Sequence, residues 1–144
     1  METVSFGHVE PFALPQVLGH EHDVEGVIRR VVAGKQPIDR RLERRRDTRY
    51  AYPYPLSLAP LDAALRGDLS KTISAIGKHI TIHGVDFYTA SPLAAKEVVC
   101  QFFSGSSALA VVLELTWCRH NAQGWFENGG KFVRLWKSPA GLDV

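Results

Sequence analysis

From Leu109 to Trp117 every second residue is large and apolar: Leu109, Val111, Leu113, Leu115 and Trp117. A period of two places all five on one face of an extended strand and conflicts with a helix, whose repeat is 3.6. The same grammar runs through the second half of the chain. His79, Thr81 and His83 alternate with Ile80 and Ile82; after an interruption at Gly84, Val85 and Phe87 alternate with Asp86 and Tyr88. A glycine inside such a run predicts a bulge or a tight turn. Val98–Phe103 leads into the Leu109 run through Ser104-Gly105-Ser106-Ser107, a hairpin loop. Asn121–Gly124 turns the chain into a last strand, Trp125–Leu135, with a bulge expected at Gly129-Gly130. Ala51 to Leu58 is extended because Pro53 and Pro55 exclude the helical region from the residues before them. Pro60 to Gly67 holds at most a helical turn. Short strands joined by close turns, with no long crossover helix, predict an all-β fold with minor α. The expected architecture is a small antiparallel six-stranded barrel over about residues 51–136.

The first 39 residues follow other rules. Pro11, Pro15, Gly19, Gly34 and Pro37 break them up, yet Val24, Val27, Ile28, Val31 and Val32 fall at helical spacing. This predicts a short amphipathic helix from about Asp23, its N-cap, to Ala33, with Gly34 as its stop. A polar helical stretch is expected to continue from Ile38 to Arg46. The chain thus divides into an N-terminal helix/loop extension, 1–39, and a barrel domain, 40–144. At 144 residues it can build a core without disulfides or a structural metal. Cys100 and Cys118 have no cysteine neighbours and read as reduced thiols. No apolar run reaches membrane-spanning length and no basic lead-in precedes an apolar stretch at the N-terminus, so a cytoplasmic protein without membrane insertion is expected.

Charge is concentrated in one place. Residues 29–49 carry nine basic side chains against three acidic ones, a net +6 in a chain of net +2. At the end of that segment stands Arg44-Arg45-Arg46-Asp47-Thr48-Arg49, directly ahead of the first extended residues. Guanidinium forks match phosphate oxygens and purine edges bidentately, and their planes stack on bases. Such a cluster points to one local anionic partner more than to general nucleic-acid binding; a solvated lead-in is the bland alternative. Catalytic signatures are missing: there is no glycine-rich phosphate loop with a lysine, no carboxylate pair and no serine elbow. Cys118 and His120 lack a third orienting group. His20-Glu21-His22-Asp23 has the look of a metal cluster but no second ligand group, and reads as a surface turn. Neither enzyme activity nor a cofactor is expected. Trp117, Trp125 and Trp136 read as core or rim aromatics.

With these residues in view, the chain resembles a PilZ domain, a small β-barrel that senses cyclic di-GMP in bacteria. That family carries Arg-x-x-x-Arg before its first barrel strand and Asp/Asn-x-Ser-x-x-Gly on a later strand. Arg45-Arg46-Asp47-Thr48-Arg49 matches the first motif. His79-Ile80-Thr81-Ile82-His83-Gly84 matches the second in outline, followed by Val85-Asp86-Phe87, Pro92-Leu93 and Gly129-Gly130-Lys131-Phe132. The likeness covers about Arg40 to Trp136. It implies that cyclic di-GMP binds at Arg44, Arg45, Arg46 and Arg49 together with His79, Thr81, His83 and Gly84. The departure is His79, which stands where the family has an acidic or amide group: neutral imidazole offers one acceptor to a guanine edge and imidazolium none.

Three functions remain open. The first is a signalling effector that binds cyclic di-GMP and answers to a protein partner. The second is a degenerate PilZ-like barrel that has lost the nucleotide and acts through protein contacts. An RNA- or DNA-binding barrel is the third and least favoured.

Overall fold

A computed structural model of the chain describes residues 24–35, 37–38, 48–104 and 107–136. Nine elements occur in it: helix α1 (Val24–Val32), β1 (Tyr50–Ala51), β2 (Pro55–Pro60), helix α2 (Leu61–Leu65), β3 (Ile73–Ile80), β4 (Gly84–Thr89), β5 (Glu97–Ser104), β6 (Ser107–His120) and β7 (Phe126–Leu135). All strand pairs are antiparallel. The sheet runs β1-β3-β2-β5-β6-β7-β4, and β4 also pairs with β3, so six strands close on themselves. The short β1 lies outside the ring, paired with the end of β3. Closure leaves the six barrel strands with no open edge along the paired stretches. The expected six-stranded antiparallel barrel is the observed fold.

Helix α1 matches its sequence pattern closely. Val24, Val27, Ile28, Val31 and Val32 are all buried, at the i, i+3, i+4, i+7, i+8 spacing of one helix face. Glu25 stands in the first turn and Arg29 and Arg30 in the last, the order the helix dipole favours. Gly34 ends it at φ 81°, in the left-handed region open to glycine. The five apolar side chains share one cluster with Leu56, Ile80, Phe87, Phe102, Val111 and Leu113 from the barrel interior. Helix and barrel therefore have a common core.

The barrel wall has two unlike halves. In β2, Leu56, Ser57, Leu58 and Ala59 are buried in succession; in β5, so are Val98, Val99, Cys100, Gln101 and Phe102. Here the outer face is covered too, by a second cluster of Ala59, Ala64, Val99, Ala110, Val112 and Trp136 under α2. In β4, by contrast, Val85, Phe87 and Thr89 are buried while Asp86 and Tyr88 are half-exposed, a strict alternation. The wall formed by β3, β4 and β7 is thus open to solvent on its outside.

Three local features differ from the sequence-based expectation. Strand β3 starts at Ile73, six residues before the alternation becomes visible at His79. It stops at Ile80, and Thr81-Ile82-His83 form a turn, so Ile82 lies outside the core. The cause is the Thr81 hydroxyl, which accepts hydrogen bonds from the backbone N–H of His83 (3.0 Å) and Gly84 (3.1 Å) and reverses the chain. At Gly129-Gly130 the extra residue of the bulge sits on the partner strand, at Thr116 of β6. Among the described residues, no helix is long and apolar enough to cross a membrane.

Candidate ligand-binding site

A cavity of about 250 Å³ opens on the outside of the β3–β4–β7 wall. Its lining brings together Arg49, His79, Thr81, His83 and Gly84, five of the eight residues singled out from the sequence. The other three, Arg44, Arg45 and Arg46, lie outside the described residues, as does the stretch His20–Asp23.

Arg49 is placed by backbone pairing on both sides. Its carbonyl accepts from Ile38 N–H at 2.8 Å, and the next two residues pair with Ile80 and His79 through β1. The guanidinium then reaches across to β3: Arg49 Nη2 lies 2.7 Å from His79 Nδ1. Arginine only donates, so Nδ1 accepts and the ring proton of the neutral imidazole sits on Nε2. The structure therefore joins the two motifs, 30 positions apart, by one hydrogen bond.

The turn carries the rest. Thr81 serves as its keystone; the hydroxyl oxygen takes two backbone bonds, and Thr81 N–H donates to Gly84 carbonyl O at 2.9 Å. Gly84 is needed for close approach, since a Cβ there would run into the Gly130 carbonyl oxygen of β7. His83 carbonyl accepts from Phe132 N–H at 2.8 Å, which ties the turn to β7. The His83 ring reaches Glu25 of α1 at 3.2 Å. The turn thus holds both the pocket rim and the first turn of α1.

Sequence reasoning missed three contributors. Asp86 pairs in register with His79 and presents a carboxylate to the same cavity. Trp117, expected on one face with Leu109, Val111, Leu113 and Leu115, is turned instead to the outer wall by the extra residue at Thr116; it is 40% exposed, and a Cβ at its partner Gly129 would strike the indole. Lys131 lines the cavity with its Nζ 3.5 Å from Glu114. Asp86 was within reach of sequence logic: once the turn is placed at residues 81–83, counting back along the hairpin sets it opposite His79. Trp117 and Lys131 come from β6 and β7, and nothing in the local sequence brings those strands to this face.

The cavity thus brings together cations (Arg49, Lys131), a carboxylate (Asp86) and the Trp117 indole, over which the Arg119 guanidinium lies 5.6 Å from the ring centroid. Elsewhere the thiols are chemically quiet. Burial pushes the Cys100 thiol far up, which keeps it protonated. Cys118 is exposed and His120 stacks on Phe126, with ring centroids 4.6 Å apart.

The fold and the pocket together describe a small antiparallel barrel with a polar cavity on its outer wall. No protein-family model and no curated protein matches the chain. Among solved structures it is similar to the Bacillus subtilis inhibitor of motility (MotI/DgrA), with a TM-score of 0.51 and 9% identity. That likeness covers 70% of this chain and 46% of the other, so the chain spans less than half the length of that protein. At this identity the likeness is one of fold.

Proposed function

We propose that the chain is a PilZ-like sensor that binds cyclic di-GMP in the Arg49–His79 cavity and passes the signal to a protein partner. The observation that carries this reading is that Arg49 and the turn motif meet in one cavity through the Arg49–His79 bond. Arg49 faces a phosphate. Asp86 accepts from the adjacent N–H donors of a guanine edge, in the role left vacant by His79. Trp117 lies under the base, where stacking contributes about 1–3 kcal/mol. Similarity in fold to a protein titled an inhibitor of motility agrees with a regulatory role in place of a catalytic one.

Calorimetric titration with cyclic di-GMP tests the reading. One ligand site is expected, and Arg49→Ala should weaken it by about 10- to 150-fold, the value of one charge-assisted hydrogen bond. The alternative is the degenerate barrel that works through protein contacts alone. It has one observation in its favour, since His79 Nδ1, the acceptor a neutral imidazole would offer to guanine, is occupied by Arg49. Absence of heat at high ligand concentration decides for it.

A further inference from the structure

A second cavity, of about 370 Å³, lies on the same outer wall and is lined by Ile76, Tyr88, Asn121, Gln123 and Trp125. Among the described residues its lining carries no charged side chain. Trp125 and Ile76 are each 45% exposed, which is costly for large apolar side chains unless something covers them. The Trp125 position is held firmly: Asn121 Oδ1 accepts from the backbone N–H of Gln123 at 2.9 Å and of Trp125 at 3.0 Å. With its oxygen so used, Asn121 turns an amide N–H₂ to a ligand, while Gln123 offers both a donor and an acceptor. Aromatic rings flanked by amides suit a flat heterocycle with a mixed donor–acceptor edge.

The two cavities are neighbours. Asp86 of the first and Tyr88 of the second are two residues apart on β4 and both point outward, about 7 Å from each other. Glu127, in register with Tyr88, holds Lys78 and Arg119 beside the second cavity, both bonded to its Oε1 at 3.3 and 3.0 Å, and the Arg119 guanidinium lies 5.6 Å over the Trp117 ring of the first. Lys78 also lies 5.6 Å above the Tyr88 ring centroid. The ridge is therefore cationic, with lysine and arginine donors to spare for a phosphodiester. At about 250 Å³ the first cavity is smaller than the ~300–1,000 Å³ of sites that enclose a whole drug-sized ligand. It has room for part of a dinucleotide, and the second cavity on the same wall has room for another part.

We infer that the Tyr88–Trp125 cavity is the subsite for the second base of the dinucleotide, so that one ligand bridges both cavities over the Lys78–Arg119 ridge. This rests on the reading of the first cavity as a cyclic di-GMP site. Amide and indole NMR signals separate the two: Gly84 reports on the first cavity, Gln123 and the Trp125 indole on the second. On titration with cyclic di-GMP, both sets should shift together along one saturation curve at one ligand per chain. Trp125→Ala should weaken cyclic di-GMP by about 5- to 150-fold, the value of one base stack, and leave the Gly84 shift produced by GMP unchanged. Should Gly84 move while Gln123 and the Trp125 indole stay still, or Trp125→Ala bind as wild type does, the bridging site is overturned and the first cavity stands alone. Should neither set move, the cyclic di-GMP reading falls, and this inference with it.

Discussion

The Arg49 guanidinium and the His79 imidazole share one hydrogen bond, and that bond changes what each side chain can do. His79 gives its acceptor to Arg49 and so holds the fork in place, while Asp86 opposite supplies the carboxylate. Protonation of His79 would break the bond and set a second cation beside the first. His79→Asp replaces the bond by a charge-assisted one and adds an acceptor for guanine. It is expected to tighten cyclic di-GMP by about 10-fold, the low end for one such bond, because the neighbouring Asp86 repels a second carboxylate. Calorimetry on the variant checks this; unchanged affinity would show that position 79 does not face the base. Arg49, His79, Thr81, His83 and Gly84 were legible from the sequence as a set of candidates. Their pairing was not, because hydrogen bonds between strands depend on register.

Among the elements, β7 carries the sharpest constraints. Gly129 has no room for a side chain beneath the Trp117 indole, so Gly129→Ala must displace the ring. A cost of about 1–3 kcal/mol is expected, the usual penalty of overpacking, read as a lower urea midpoint with altered tryptophan fluorescence. Gly26 offers the opposite case. A Cβ on this exposed helical residue meets nothing within 4 Å, so Gly26→Ala should stabilise by about 0.4–1 kcal/mol. Glu127 ties three strands together through Lys78 and Arg119. Burial pushes its carboxyl up, but the hydrogen bonds from Arg119 and Lys78 outweigh that and hold it below the usual range. A lowered carboxylate contributes stability above its unfolded value, about 4.3, and loses it as pH falls through the folded value. Urea unfolding of wild type should therefore weaken below about pH 4.3, and Glu127→Gln should flatten that dependence. An equal acid response in both would remove Glu127 from the account.

At the scale of the whole molecule, helix α1 and the barrel rise or fall together. Ile28 is fully buried in the cluster that also holds Phe87, Phe102 and Leu113. Ile28→Ala should cost about 2–5 kcal/mol and lower the stability of the barrel strands with it, as a single transition by tryptophan fluorescence and circular dichroism. A barrel of unchanged midpoint would mean that the helix is an independent appendage. His83 joins the same two parts from the outside, reaching Glu25 from the pocket rim. Exposed pairs of this kind contribute little, about 0–1 kcal/mol, so the apolar face of α1 decides its seat.

The sequence by itself determined most of the elements, though not the start of β3 at Ile73 or its end at Ile80. The two-residue period of Leu109–Leu115 and Val85–Thr89, the helical spacing of Val24–Val32 and the proline and glycine stops are local properties, set by which side chains must leave water. They were enough to specify a barrel of six antiparallel strands and a helix before it. Which wall of that barrel stays open was decided only by tertiary structure. The continuous apolar runs of β2 and β5 are covered on the outside by α2 and Trp136, and the β3–β4–β7 wall is left to solvent. The site has the same origin. Asp86 faces His79, and Trp117 lies across Gly129, only because the turn at Thr81 and the extra residue at Thr116 set the registers. A register shift of one residue sends every side chain to the opposite face, and no composition or spacing within a single strand records which register its neighbour will take.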